Sequence, residues 1–306
     1  MKKIIGSVFL LGLIAGLIVI SRNYTKSYIA SGVVDCPPDA VSRLFLNPDR
    51  RAKWLPGKNS TDSSFEWEGK KFVIQKVLLN GFSATEINEK NVIDFSFTPA
   101  LKNQTQFYVT MTEGGTDHFL SRIYKVIAKP LKKSAGQFLL NVSNFFSASK
   151  NVYGVEIIKG RVEMINWVST MKEYDHFPSN SEVYLVIDTL EKFLSGKQIA
   201  LLGQPILNIR PLDEKYFQLM TAVPVKNPIE PTNLFKNKTM APGFLMKADV
   251  LGGWAKVAEA EIELGNYLRD NHKQSPAIPY QQLITDRRKE TDSTKWVTQI
   301  NYPVFN

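Results

Sequence analysis

Five aromatic residues in the C-terminal half have the chemistry to hold a small molecule: Trp167, Phe217, Trp254, Tyr280 and Trp296. Gathered around one pocket with few polar groups, they would suit a flat or amphipathic ligand. Tyrosine and tryptophan bury apolar area while keeping one polar tip, which matches a ligand of mixed character. The same five rings could equally fill a sheet or helix core. No constellation demands catalysis. The chain has no G-x-S-x-G elbow, no G-x-x-x-x-G-K-[ST] phosphate loop and no cysteine–histidine pair near a helix signal. No catalytic residue is therefore assigned. Glu163, Glu173 and Asp175 lie in or beside a strand-like run and could serve a pocket, but such carboxylates mostly face solvent.

Metal and cofactor chemistry find equally little support. The single cysteine, Cys36, cannot form an internal disulfide and leaves no cluster for zinc or iron–sulfur binding. His118, His176 and His272 are far apart and lack H-x-x-x-H spacing, so each reads as a surface or turn residue. No metal and no cofactor are expected. The net charge of +9 is spread over short clusters such as Arg50-Arg51-Lys53, Lys70-Lys71, Lys132-Lys133 and Arg287-Arg288-Lys289. No DNA-reading motif accompanies them, so they read as solvated surface and no nucleic-acid partner is expected. The length of 306 residues suggests two domains, and 43% apolar content excludes general disorder.

The elements that must position the aromatic residues follow an order that occurs twice. Arg161–Met171 reads as a strand. Ser179 and Glu182 have capping-box spacing, and Val183, Ile187, Leu190 and Leu194 share a face of the following helix. Gly203-Gln204-Pro205 stops it, and strands near Ile206–Arg210 and Tyr216–Val225 complete the unit. In the second half, Gly243–Val250 reads as a strand and Gly252-Gly253 as a break. A helix runs from Trp254 to about His272, with Val257, Ala260, Leu264 and Leu268 in line. Pro276 and Pro279 end it. Two strands then flank the charged stretch Asp286–Thr294, which reads as solvated. The strand ends TAVPV at 221–225 and INYPV at 300–304 echo one another.

This double β-α-β-β order resembles the effector-binding domain of the GyrI-like (gyrase-inhibitory-protein-like) family, also found in some bacterial transcription activators. Gly203-Gln204-Pro205, Ala222-Val223-Pro224-Val225, Gly252-Gly253-Trp254, Pro279-Tyr280-Gln281 through Asp286, Lys295-Trp296 and Tyr302-Pro303-Val304 carry the likeness, over roughly residues 155–306. The resemblance implies that the two halves enclose an aromatic pocket, their sheets facing a common cleft, often with a carboxylate that attracts cations. Gln281 stands at that acidic position, so it is the implied polar ligand contact, and a neutral or anionic ligand is favoured over a lipophilic cation. The departure also weakens the hydrolase activity of some family members.

The segment from about Asn23 to Tyr153 has another pattern. A strand at Thr25–Val34 precedes Pro37-Pro38 and a short helix from Asp39, with Asn47-Pro48 as its break. Strand-like runs follow at Phe65–Trp67, Lys71–Leu79, Val92–Pro99, Thr105–Thr112 and His118–Ile127, and a helix at about Leu131–Ser149 ends the segment. Pro37-Pro38, Asp39-Ala40-Val41, Asn47-Pro48, Trp54 and the long last helix make it similar to the SRPBCC (START-related, polyketide-cyclase-like) superfamily. That likeness implies a helix-grip fold holding apolar ligands between sheet and helix. Trp67, Phe95, Phe97, Phe107, Tyr108, Phe119 and Tyr124 would line that space or fill it.

The N-terminus carries Lys2 and Lys3 and then an uncharged run, Ile4–Ile20, about the minimum for a membrane span. No A-x-A cleavage pattern follows. The expected fold class is thus α+β: an N-terminal transmembrane helix (1–23), a helix-grip domain (24–153), then a domain of two pseudo-repeated β-α-β-β units (154–306). Residues 4–20 would make it a single-pass protein of a bacterial inner membrane, with its orientation and any protein partner undetermined. Two functions are expected from this organisation. One is a small-molecule binding or sensing protein for a hydrophobic or amphipathic ligand. The alternative is a hydrolase acting on a hydrophobic or electrophilic small molecule in the C-terminal pocket, which would require a titratable group facing that pocket.

Overall fold

The structure, a computed structural model, describes residues 26–57, 60–87, 91–101, 103–114 and 130–305. They fall into two compact units divided between Ala148 and Ser149. Both are mixed α+β, each built on one antiparallel sheet.

In the first unit the elements are β1 (Lys26–Val34), α1 (Pro38–Leu46), α2 (Pro48–Trp54), β2 (Ser64–Trp67), β3 (Lys70–Leu78), β4 (Gly81–Glu86), β5 (Val92–Pro99), β6 (Thr105–Glu113) and α3 (Pro130–Phe146). The sheet order is β1-β6-β5-β4-β3-β2. Proline begins α1 and α2, where its missing N–H costs nothing. The Asn47 side chain accepts from the Arg50 amide and caps α2. On α3, Ala135, Phe138, Val142 and Phe146 are buried at helical spacing, and the helix lies on β1 and β6. The interior is filled with rings. Phe45 contacts Trp54, Phe82, Phe95 and Phe97 at centroid separations of 6.0, 6.4, 6.4 and 5.5 Å. Phe138 and Phe146 on α3 meet Phe65 and Phe107 from the sheet. Tyr108 points outward and is exposed. His118, Phe119, Tyr124 and the run His118–Ile127 lie outside the described residues. The strand β4 escaped the sequence reading, although Phe82, Ser83, Ala84 and Thr85 alternate apolar and polar over a short run.

The second unit opens with α4 (Ser149–Tyr153). The expected strand Arg161–Met171 is two strands, β7 (Ile158–Val162) and β8 (Ile165–Tyr174), broken at Glu163-Met164. Then come α5 (Asn180–Gly196), β9 (Ile206–Pro211), β10 (Phe217–Val225), β11 (Lys236–Met240), β12 (Gly243–Leu251), α6 (Trp254–Asp270), β13 (Tyr280–Leu283), a 3-10 turn (Ser293–Lys295) and β14 (Val297–Val304). The strand–helix–strand–strand order appears as β8-α5-β9-β10 and as β12-α6-β13-β14. The two halves do not present separate sheets to a common cleft. They share one eight-stranded sheet, ordered β11-β8-β10-β9-β13-β14-β12-β7, joined where Leu207 pairs with Gln281.

That sheet is rolled. β7 and β8 lie six strand spacings apart, about 29 Å in a flat sheet, yet the short link Glu163-Met164 spans no more than about 11 Å. The two margins must therefore approach each other. Alternation places Val162, Trp167, Ile206, Ala222, Leu245 and Tyr280 on the face away from the helices, where they form one buried cluster inside the roll.

The membrane expectation is corrected. No helix among the described residues is long and apolar enough to cross a membrane. The longest, α3, α5 and α6, have 17 residues each and only one buried stripe, whereas a span needs about 20 apolar residues. The transmembrane helix in the expected fold class, and the single-pass location built on it, thus have no counterpart among the described residues. The run Ile4–Ile20 itself lies outside the described residues.

Candidate functional site

The helices of the second unit divide its sheet between them. The α5 helix packs on β8 and β10, and α6 packs on β12 and β14, so the central strands β9 and β13 lie between the two. Each helix begins for a local reason. On α5, Ser179 accepts from the Glu182 amide while the Glu182 carboxylate accepts from the Ser179 amide, a complete capping box. The Ser179 amide and hydroxyl, both donating to the carboxylate, with a hydrogen bond from His176, hold the Glu182 carboxyl down at about 2. The α6 helix starts after Gly252, whose φ of 127° is open to glycine but strained for other residues. Its N-cap, Gly253, supplies no side-chain cap.

The helix-side surface of the sheet carries one cross-strand row: Ala248, Ile300, Gln281, Leu207, Thr221 and Thr170. Gln281 therefore sits mid-sheet, between Ile300 and Leu207, and is buried. Its Nε2 donates to Glu261 Oε1 from α6 at 2.9 Å, while its own Oε1 is buried without a partner among the described residues. Burial raises the Glu261 pKa, an effect partly opposed by the Gln281 hydrogen bond. A protonated Glu261 could donate to the idle Gln281 Oε1, closing an acid–amide pair with two hydrogen bonds.

At the N-terminal ends of both helices the aromatic residues form a continuous wall. Phe177 stands edge-on to Phe217 and to Trp254, at 5.7 and 6.0 Å. The Arg287 guanidinium lies between two indoles, its Cζ 4.2 Å from the Trp254 ring centroid and 4.6 Å from that of Trp296. Arg287 is only 3% exposed. It donates to Thr298 Oγ1 at 2.7 Å and to Asn180 Oδ1 at 3.4 Å. Burial depresses its pKa to about 10. Its backbone amide donates to the Tyr184 hydroxyl at 2.9 Å.

The six expected ligand residues are thus distributed over two faces. Phe217, Trp254 and Trp296 come together on the helix side. Gln281 shares that side, at mid-sheet. Trp167 and Tyr280 lie inside the roll on the opposite face, with ring centroids 6.5 Å apart. The Tyr280 hydroxyl contacts Met240 Sδ at 3.8 Å, and burial pushes its pKa up to about 12. Glu163, Glu173 and Asp175 are exposed. Among the described residues no group of three or more His, Cys, Asp or Glu could hold a metal ion.

Phe177, Glu261 and Arg287 escaped the sequence reading. Glu261 follows Val257 by four positions, which puts it on the edge of the buried stripe, a usable signal. Arg287 stood in the Arg287-Arg288-Lys289 cluster and in a stretch read as wholly solvated. That reading is corrected: Arg287 is internal, whereas Arg288 pairs with Asp188, Glu191 and Asp286 at the surface. Nothing in a polar loop separates the two.

No family model and no curated protein matches the chain. Solved structures resemble it distantly. The EcmrR C-terminal domain shares 15% identity, covering 49% of this chain and 97% of that one, with a TM-score of 0.43. The structure of SAV2435 bound to tetraphenylphosphonium shares 15%, covering 49% and 93%, with a TM-score of 0.34. A hydrolase from Listeria innocua shares 12%, covering 48% and 91%, with a TM-score of 0.36.

Proposed function

We propose that the chain is a small-molecule binding or sensing protein whose ligand enters between α5 and α6 of the second unit. The single observation that carries this is the unfinished polar chemistry over the central strands. Gln281 and Glu261 meet there beside an aromatic wall, and Gln281 keeps a buried acceptor unused. A packed core rarely tolerates such a group without a purpose. The ligand body would lie against Phe177, Phe217 and Trp254, with one polar group toward Gln281 and Glu261. The first unit is read as the SRPBCC-like helix-grip domain, residues 24–153, with an interior filled by its own rings.

A second reading keeps one observation in its favour. Glu261 is a carboxyl with a raised pKa facing this space, as a hydrolase of hydrophobic substrates would need for proton transfer. Native mass spectrometry of the purified chain, followed by solvent extraction, tests the binding reading. A bound compound of constant mass should appear and be lost from Trp254→Ala. Recovery of the bare chain alone, with no saturable response to any aromatic dye, would sink it. Turnover of a carboxylic ester that Glu261→Gln abolishes would favour the hydrolase.

A further inference from the structure

Arg287 holds a buried positive charge that no carboxylate among the described residues is seen to balance. Its two hydrogen-bond acceptors, Thr298 and Asn180, are neutral. The carboxylates closest in sequence are engaged elsewhere. Asp286 accepts from Arg288, Glu290 accepts from the Asp292 amide, and Asp292 accepts from Thr294 and faces Lys295. Such a cation normally sits with an acid, because removing a charge from water without a counter-charge is costly.

Two donors beside it are also idle. Arg287 Nε and Trp254 Nε1 are both buried without a hydrogen-bond partner among the described residues. Buried donors are satisfied in the great majority of cases, so a pair of orphans at one stacked contact marks a missing acceptor. A water molecule could take up the two N–H groups but would leave the charge unbalanced. An anion would do both. The surroundings suit one, since Trp254 is the first residue of α6 and Gly253 brings no side-chain cap, leaving the positive end of that helix open.

We propose that this place is an oxyanion subsite and that the ligand of the second unit is an aromatic or amphipathic carboxylate. The carboxylate accepts from Arg287 Nε and Trp254 Nε1, and the ligand body rests against Phe177 and Phe217. This deepens the binding reading above and rests on it. Phe177 is half exposed, so the wall it completes can be reached from solvent. Charge-assisted hydrogen bonds from a guanidinium are roughly twice as strong as neutral ones, which makes charge the property that selects the ligand.

Three probes with one ring and different charge decide the matter: benzoate, benzamide and benzylammonium, titrated into the full chain by calorimetry and ligand-observed NMR at pH 7. Benzoate should bind at least about tenfold more tightly than benzamide, and benzylammonium should bind most weakly. Arg287→Gln should remove the preference for benzoate. Trp254→Phe keeps an aromatic face but loses the N–H together with the five-membered ring, so it should weaken benzoate several-fold more than benzamide, a ratio that stays readable even if the Arg287 variant fails to fold. Equal binding of benzoate and benzamide, or tightest binding of benzylammonium, overturns the oxyanion assignment while leaving the binding reading intact. If none of the three binds while an aromatic dye does, the oxyanion assignment falls alone; if no aromatic dye binds either, both fail.

Discussion

The interior of the first unit and the helix side of the second solve opposite problems with similar amounts of aromatic surface. In the first, Phe45, Phe65, Phe82, Phe95, Phe107, Phe138 and Phe146 are fully buried and touch mostly one another. Their only demand is close packing. In the second, the helix side holds four polar atoms that are buried without a partner among the described residues, Gln281 Oε1, Thr221 Oγ1, Arg287 Nε and Trp254 Nε1, against the single indole N–H of Trp54 in the ring cluster of the first. Removing a ring from the first should cost packing energy and nothing else. Altering the second should change charge, pH response or ligand preference at little cost in stability. A filled core maximises contact, whereas a site keeps bonds in reserve.

The largest effect should come from Phe45→Ala. Losing a fully buried ring with four ring neighbours should cost about 3–5 kcal/mol in chemical denaturation. A loss below about 1 kcal/mol would mean that the first interior is loose enough to admit a ligand, and the contrast would collapse. Thr221→Val should act in the opposite direction. The hydroxyl is buried and unpartnered, so an apolar group of the same shape should stabilise the second unit by about 1 kcal/mol. Destabilisation would show that the hydroxyl has an acceptor in solution. Ser179→Ala removes the cap of α5 and should cost about 1 kcal/mol, read as a lowered unfolding midpoint.

The smallest effect concerns pH. Burial raises the Glu261 pKa above its ordinary value of 4.5, so the folded chain holds that proton more tightly than the unfolded one. Its stabilising contribution is complete below 4.5 and is lost as pH rises through the folded value. Glu261→Gln should flatten this part of the stability profile. An unchanged profile would show that the carboxyl is not shielded from water.

Much of the local structure was readable because it repeats or punctuates. Val257, Ala260, Leu264 and Leu268 recur at helical spacing, and all four are buried on α6. The Ser179–Glu182 spacing becomes a real capping box. The parity of Tyr280 and Gln281 was also legible, since neighbours on a strand point oppositely. Which of them meets the helices was not, because that depends on where α5 and α6 land on the sheet. The strand β11, KNKTM, alternates no apolar residues and reads like a loop. It becomes a strand by pairing with β8 at the sheet margin. Arg287 was hidden for a related reason. Its burial is imposed by two tryptophans 33 and nine positions away, and local composition carries no trace of a contact that tertiary packing creates.

The rolled sheet also sets a timetable. β8 pairs with β10, and β10 with β9, all three close together in the chain. β7, the first strand of the second unit, pairs among the described residues with β12 alone: Val162 meets Gly243, roughly 80 residues further on. At translation speeds of about 5–20 residues per second, β7 waits some 4–16 s on the ribosome before its partner is even made. During that interval its backbone groups are an open edge, available to any other strand nearby. The strand that synthesis delivers first is the one the sheet must seat late. Nascent chains stopped before Gly243 should therefore be the ones most dependent on chaperones.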